Sequence, residues 1–273
     1  MVIDGHAHAS GDYLKVESIT EYLSRNNADK VVLVPGELNS SKTYYLPHLS
    51  KTFTKVNFVR WTNILTKTII NISGKAEEIK KGNHYVFELT RQCPEKIFQF
   101  FWVTQFIKDL YNELEAKYLI WKFKGLKLHQ CWENFSVDSD YFRTTAELAE
   151  KHDLPLFIHL WNDKEVQLMI KYKQSHSNLK LIIGHMFGIE LFFDKGKRYE
   201  NIFFEISSPQ LISGYRLKRA INHLGSERFI LGSDTPYGMN NLNLNIKRIN
   251  DLPISQNDKD SILGKTMKYL LKI

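Results

Sequence analysis

Short runs of apolar, β-branched and aromatic residues alternate with helical patterns along the whole chain. Each run is long enough for a β-strand and too short for a helix, so the pattern predicts eight strands. The first strand opens the sequence, in VIDGHAHAS, and ends in two histidines. The other seven are predicted at residues 31–35, 97–103, 125–129, 154–160, 179–185, 201–207 and 228–234.

Amphipathic stretches lie between the predicted strands. In YFRTTAELAEKH, the residues Phe142, Ala146 and Ala149 recur at helical spacing, and Asp138 or Ser139 can cap this helix. The stretch LFFDKGKRYE (191–200) also predicts a helix, as does YRLKRAINHLG (215–225), which ends at a glycine typical of helix C-termini.

Eight strands alternating with helices in 273 residues indicate an α/β fold, the (β/α)₈ or TIM barrel, as one domain over residues 1–273. Residues 37–73, after the second strand, fit no simple helix and exceed the usual loop by about thirty residues. They are interpreted as an insertion between the second strand and its helix. Strand-to-helix loops lie on the active face of such barrels, so this insertion is expected to form a lid at the mouth of the pocket.

Composition and charge narrow the function classes. Apolar residues make up 43% of the chain and charged residues 25%, which is typical of a globular soluble protein. No run approaches the ~18 apolar residues of a membrane span, and no signal segment opens the chain, so a cytoplasmic protein without a membrane partner is expected. The net charge of +7 fits an anionic partner, but no basic tail favours nucleic acid. Cys93 and Cys131 form neither a disulfide framework nor a thiolate motif.

Histidines mark the ends of the predicted strands. Alternate side chains of a strand share a face, so His6 and His8 point the same way, together with Asp4. The C-terminal strand ends of a barrel meet at its active face. Imidazole and carboxylate suit zinc and related divalent ions, and a neighbouring carboxylate can accept a proton from activated water. The sequence therefore predicts a metal site. The residues that end predicted strands are His6, His8, His129, His159, His185 and Asp234.

The ordered set GHAHAS, GLKLHQ, PLFIHL, IIGHMFG and ILGSDTPYG resembles the amidohydrolase superfamily. More narrowly, it is similar to the amidohydrolase-related branch that includes aminocarboxymuconate-semialdehyde decarboxylase. The segment GNHYVFELTRQCPEKIFQFFWV also resembles a helix and third strand of that branch. The resemblance covers nearly the whole chain.

The resemblance implies a role for each of these residues. His6, His8 and His159 match metal ligands, and Asp234 matches the carboxylate that binds the metal and takes a proton. His185 matches the histidine that orients water or substrate in mononuclear members. One divalent ion is expected as the cofactor, and the ligand types indicate zinc. Two features depart from the branch: the bulky Phe187 after the sixth strand, which can narrow the pocket, and the 37–73 insertion.

Of four further residues near these motifs, Lys127 and His129 are each open to two interpretations, and Cys131 and Glu205 are given one each. Lys127 points inward by alternation, either as an ammonium that contacts substrate or, as in binuclear relatives, as a carbamylated metal bridge. His129 is a substrate contact or a hydrogen-bonded support for the ligands. Cys131 is interpreted as a small packed residue and Glu205 as a structural one.

Three activities remain open. The first is metal-dependent hydrolysis of a small amide, lactone or ester by activated water. The second is a non-oxidative decarboxylation, because the branch contains both reactions and the ligand set does not separate them. The third is a TatD-like nuclease, disfavoured because those enzymes carry an acidic fourth-strand motif where this chain has GLKLH. The branch also implies a possible homodimer.

The insertion suggests the charge of the substrate. Its five basic residues outnumber its one acid, Glu37, and aromatic residues are interleaved with them. Arg60 lies between Val59 and Trp61, and the fork of a guanidinium suits a carboxylate or phosphate. Arg60, Lys127 and His129 are therefore expected to bind a small anionic substrate, in particular a carboxylate.

Overall fold

Eight parallel strands form one sheet in the order of the chain. The computed structural model describes residues 1–73, 78–105, 107–193 and 199–273. Consecutive strands pair in parallel from the first to the eighth. The strands are β1 Ile3–His8, β2 Lys30–Val34, β3 Ile97–Trp102, β4 Gly125–His129, β5 Leu156–His159, β6 Leu181–Ile183, β7 Ile202–Glu205 and β8 Phe229–Ile230.

Backbone hydrogen bonds join the first strand to the segment that follows the last. The amide of Gly5 donates to the carbonyl of Leu231 at 2.8 Å, and the amide of Asp234 donates to the carbonyl of His6 at 2.8 Å. These bonds bring the sheet into a nearly closed barrel. The predicted (β/α)₈ fold and its eight strands are confirmed.

Helices and short helical turns connect the strands. In the described ranges, none of the helices has the length and apolar character needed to cross a membrane. The α-helices are α1 Val16–Arg25, α2 Leu49–Thr52, α3 Val59–Ser73, α4 Glu78–Gln92, α5 Leu110–Trp121, α6 Asp140–Lys151, α7 Asp163–Ser175, α8 Gly214–Leu224, α9 Asn241–Asn250, α10 Gln256–Asp260 and α11 Thr266–Leu271. The 3₁₀ turns are Gly11–Tyr13, Gly184–Met186, Ile189–Phe192 and Ser226–Arg228, and a π-helical turn spans Ser261–Lys265.

Apolar side chains cover both faces of the strands. Along β3, Phe100 and Trp102 pack in the barrel interior, whereas Ile97 and Phe101 belong to the layer between strands and helices. A Cβ on Gly125 would lie 2.6 Å from the Phe100 ring, so the approach of β4 to this ring requires glycine. Truncating such a buried ring typically costs about 3–5 kcal/mol. The interior is therefore a packed floor beneath the C-terminal strand ends.

Two of the predicted helices form as expected and one does not. The Ser139 hydroxyl accepts from the amide of Phe142 at the start of α6, and Gly225, with φ of 88°, follows the end of α8. The helix predicted over 191–200 is wrong where it is described: a 3₁₀ turn ends at Phe192, and residues 194–198 lie outside the described residues. A single apolar cluster at the start of that stretch supports only one turn.

The expectation that residues 37–73 fit no simple helix is wrong, because α3 occupies Val59–Ser73. Its pattern is unclear in the sequence because apolar residues lie on both faces: Val59 is buried, whereas Trp61 and Leu65 are more than half exposed. The segment lies over the C-terminal strand ends. The Asn57 side-chain amide donates to the carbonyl of His185 at 3.3 Å.

Candidate metal centre

The first strand brings two imidazoles to the C-terminal face of the barrel. Asp4, His6 and His8 alternate along β1, and all three are buried. His8 Nδ1 lies 2.7 Å from the carbonyl oxygen of Pro35, so Nδ1 carries the proton and Nε2 keeps a free lone pair. Asp4 instead accepts from the Tyr13 hydroxyl at 2.7 Å, which gives it a structural role below the histidines.

Three possible metal-ligand atoms come together here, one from each of these two imidazoles and one from Asp234. Asp234 Oδ1 lies 3.4 Å from His8 Nε2 and 3.7 Å from His6 Nδ1. A tetrahedral ion with bonds of 2.0–2.1 Å holds its ligand atoms about 3.3 Å apart, so these separations fit a small divalent cation. Burial raises the pKa of Asp234, but the neighbouring His185 and His8 outweigh it and lower that pKa below its ordinary value.

The two ring nitrogens of His6 have different surroundings. Within the described ranges, His6 Nδ1 is buried and has no hydrogen-bond partner, as expected of an atom that can bind an ion. His6 Nε2 lies 3.1 Å from Lys127 Nζ. Lys127 is buried against the Phe157 ring, 3.8 Å from the ring centre, and this burial lowers its pKa to about 7, although Asp234 opposes the shift. Lys127 thus supports a candidate ligand, and the interpretation as a substrate contact stays a prediction.

His159, the fourth ligand implied by the resemblance, has another partner. His159 Nε2 lies 2.6 Å from Asn63 Oδ1. The amide nitrogen of Asn63 donates to the carbonyl of Leu160 at 3.0 Å, which fixes the amide with its oxygen toward the histidine. His159 therefore donates through Nε2 here, and the three atoms that come together are those of His6, His8 and Asp234.

A second group, His129, Cys131 and His159, is close enough to suggest metal binding but has the wrong ring geometry. The rings of His129 and His159 are stacked, with centroids 4.0 Å apart and planes 13° from parallel. An ion bound by imidazole lies close to the ring plane, 2.0–2.1 Å from the nitrogen. Because these two rings are stacked nearly parallel, no single ion can lie in both ring planes at that distance. Trp102 stacks on the far side of His129. Burial raises the pKa of the Cys131 thiol to about 12. We interpret the group as a stack that orients His159.

His185 approaches the triad from the end of β6. Its Nε2 lies 4.0 Å from Asp234 Oδ2, and its ring lies 4.7 Å from the ring of His159. Burial lowers its pKa to about 4, so the imidazole is neutral at physiological pH. His185 and Asp234 both have left-handed backbones, with φ of 55° and 58°. Such conformations cost on the order of 1 kcal/mol each and are concentrated at functional sites.

Glu205 lies behind the histidines, in the barrel interior. Its side chain is fully buried, and Oε2 lies 3.8 Å from His6 Nδ1 and 3.7 Å from His185 Nδ1. Burial raises its pKa to about 8 and the charge of Asp234 adds to this, whereas hydrogen bonds from His185 and Ser207 oppose it. The sequence FFEIS alone does not indicate which face of its strand carries Glu205. In the structure, the carboxyl faces the barrel interior.

A sequence model of the amidohydrolase family matches residues 72–267, which is more than two thirds of the chain. The chain belongs to the amidohydrolase family. It is therefore an enzyme of a metal-dependent superfamily, and the recognised resemblance is confirmed. No curated protein matches the sequence.

Solved structures share the amidohydrolase fold at low sequence identity, so each supports the fold alone. The 5-carboxyvanillate decarboxylase of Sphingomonas paucimobilis is 14% identical with a TM-score of 0.69, covering 100% of this chain and 99% of that one. A probable 2-pyrone-4,6-dicarboxylic acid hydrolase of Acinetobacter baumannii is 14% identical with a TM-score of 0.67 and the same coverage. A dihydroxybenzoic acid decarboxylase of Polaromonas sp. JS666, with bound manganese and 2-nitroresorcinol, is 13% identical with a TM-score of 0.63, covering 99% and 96%.

Arg60 lies away from the triad, in contact with an acid of its own. Its Nη2 donates to both carboxylate oxygens of Asp163, at 2.6 and 2.7 Å, and this exposed pair lies above the Phe187 ring. The two residues line a cavity of about 390 Å³, where Arg216 pairs with Glu190 at 2.6 Å. Anion binding by Arg60 stays a prediction, because an anion would have to displace Asp163.

Proposed function

We propose that this amidohydrolase is a metal-dependent hydrolase of a small carboxylate-bearing molecule. The observation that carries the proposal is the convergence of His6 Nδ1, His8 Nε2 and Asp234 Oδ1 within 4.8 Å of one another at the active face of the barrel. All three are buried, and His6 Nδ1 accepts or donates no hydrogen bond among the residues that the structure describes. A divalent ion held by these atoms supplies Lewis-acid activation of a carbonyl group or of water.

The proposed ion is zinc, because two imidazole nitrogens and a carboxylate oxygen at these separations are its usual donors. One ion is proposed, since Lys127 Nζ lies 3.1 Å from His6 Nε2, where it supports that ring instead of reaching the position of a second ion. His159 is proposed as the fourth ligand. To bind the ion through Nε2, it would have to give up its hydrogen bond to Asn63.

The protein groups around the ion have separate tasks in this proposal. Asp234 turns Oδ1 to the imidazoles, and its Oδ2, 4.0 Å from His185 Nε2, is positioned to accept a proton from water. His185 is neutral and can accept a hydrogen bond from the nucleophile or substrate. Lys127 holds the far nitrogen of His6. A cation at the triad would also favour the ionised form of Glu205 and so oppose the effect of burial.

The substrate proposal rests on charge. The segment 37–73 carries five basic residues and contacts the C-terminal strand ends through Asn57 and Asn63. Relatives with this fold act on aromatic or unsaturated carboxylates, as their names state. The cavity beside Arg60 and Arg216 has an aromatic floor at Phe187. A planar carboxylate fits both the charge and this lining.

Decarboxylation is the alternative, favoured by the carboxyvanillate and dihydroxybenzoic acid decarboxylases among the structural neighbours. Two probe compounds separate the reactions. We expect zinc-loaded protein to open the lactone ring of 2-pyrone-4,6-dicarboxylate, seen as loss of ring absorbance, and Asp234→Asn to abolish this. Release of CO₂ from 5-carboxyvanillate without lactone opening would favour the decarboxylase instead. The exposed His84→Ala variant is the matched control, expected to behave like the parent.

A further inference from the structure

A serine hydroxyl links the carboxyl of Glu205 to the imidazole of His185. Ser207 Oγ lies 2.7 Å from His185 Nδ1 and 2.9 Å from Glu205 Oε2. The three side chains are buried, with exposures of 0%, 4% and 0% for Ser207, His185 and Glu205. Water therefore does not compete for these hydrogen bonds, and each proton must be assigned within the group.

The donors around Glu205 determine the direction of the hydrogen bonds. The amide of His185 donates to Oε2 at 3.1 Å, and the amide of Ser207 donates to Oε1. Three donors therefore face the two carboxyl oxygens, the third being the Ser207 hydroxyl, and together they stabilise the ionised carboxylate against the effect of burial. A hydroxyl has one proton and accepts through its lone pairs. If Ser207 gives its proton to Glu205, its oxygen must accept from His185 Nδ1–H.

We propose that Glu205 and Ser207 are positioning residues that fix the tautomer of His185, with the proton on Nδ1 and the lone pair of Nε2 facing the metal centre. Nε2 points toward Asp234 Oδ2, 4.0 Å away, so the free lone pair lies where a reacting group would be held. The tautomer itself follows from the three hydrogen bonds that an ionised Glu205 accepts. Only the catalytic use of that lone pair rests on the function proposed above.

Packing keeps the group in this arrangement. A Cβ on Gly232 would lie 2.1 Å from Glu205 Oε1, so the carboxyl can be seated there only because this residue of the chain is a glycine. The amide that His185 offers to Glu205 belongs to a residue with a left-handed backbone. The part-buried Arg248 donates to the carbonyls of Ile206, next to Ser207, and of Ile212, further along the same loop. None of these contacts requires substrate.

The test is the nitrogen spectrum of histidine side chains in full-length protein labelled with ¹⁵N-histidine and loaded with zinc. Long-range ¹H–¹⁵N correlations distinguish a protonated from a lone-pair ring nitrogen, and the His185 signals are those missing from His185→Asn. We expect the parent to have a protonated Nδ1 and a lone pair on Nε2. Ser207→Ala should lose this preference and populate both tautomers, whereas Ser207→Thr, which keeps the hydroxyl, should retain it.

The control is Ser226→Ala, which removes a part-buried hydroxyl bonded to Asp258, and it should leave the His185 signals unchanged. A proton on Nε2 of the parent would overturn the proposal, and so would an unchanged spectrum in Ser207→Ala. The parent spectrum alone decides the assignment if a variant does not fold. The experiment needs no substrate, so a protein with the expected tautomer but no hydrolase activity would contradict the proposed function and not this inference.

Discussion

Glu133 gives a prediction about stability whose size follows from the structure. It follows β4 and is only 7% exposed. Its Oε1 accepts from the amide of Gln105 at 2.9 Å, and its Oε2 lies 3.1 Å from the Tyr141 hydroxyl. Burial raises its pKa from 4.5 to about 7, although these two hydrogen bonds oppose the shift. The folded protein therefore holds this proton at pH values where the unfolded chain has lost it.

The sign follows from linkage. A pKa raised in the folded state contributes stability that is complete below the unfolded value and is lost as pH rises through the folded value. With 1.36 kcal/mol for each unit, a rise from 4.5 to about 7 corresponds to about 3 kcal/mol of unfolding free energy lost by Glu133 across that window. Glu133→Gln keeps an acceptor for Gln105 and an N–H for Tyr141, as the protonated acid does, and should abolish the loss.

The assay is urea unfolding of parent and variants at about pH 5 and about pH 8, with the linear extrapolation to water. Because the unfolded chain has already lost most of this proton at pH 5, we expect the parent to lose about 2.5 kcal/mol between these conditions relative to Glu133→Gln. Glu147→Gln, an exposed change on α6, is the matched control and should follow the parent. If the difference between the parent and Glu133→Gln is the same at both pH values, the reasoning about this buried carboxyl is refuted.

Three further predictions concern the site. His185→Asn should lower turnover by about 10²–10⁴-fold, the usual contribution of proton transfer, with metal content unchanged by elemental analysis; loss of metal would make His185 a ligand. Apo-protein reloaded with zinc in carbonate-free buffer should regain activity, because Lys127 contacts His6 as an amine; a bicarbonate requirement with two ions per chain would show carbamylation. Arg60→Ala should raise the KM for a carboxylate probe and Asp163→Asn should lower it, since Asp163 competes for the guanidinium. Equal KM values in the parent and both variants would exclude Arg60 from substrate recognition.

The sequence was sufficient to predict the barrel and part of the site because both follow from short-range patterns. The strands are apolar runs, and residues that end a strand of a (β/α)₈ barrel must reach one face. His6 and His8 follow from alternation alone, and Asp234 follows from the end of the eighth strand predicted over 228–234, although β8 itself ends at Ile230. The same reasoning identified His185, which lies with its Nε2 4.0 Å from Asp234 Oδ2.

The remaining features depend on contacts between distant segments. Asn63 reaches His159 from a helix 96 positions earlier in the chain, and no spacing in the sequence predicts that pairing. The inward position of Glu205 depends on the space left by Gly232, which follows the neighbouring strand β8. Arg60 was assigned to a substrate anion by the chemistry of its fork, which an internal carboxylate, Asp163, satisfies equally well. A polar side chain thus has several chemically equivalent partners, and only the fold selects one.

The metal content of ligand variants tests the central claim most directly. Parent, His8→Ala and the exposed control His84→Ala are saturated with zinc, freed of loose ions by gel filtration and analysed by mass spectrometry of the element. His8 contributes one of three converging donors, so the account predicts about one zinc per chain in the parent and control and nearly none in His8→Ala. Retention of zinc by His8→Ala at the level of the control would contradict the proposed metal centre.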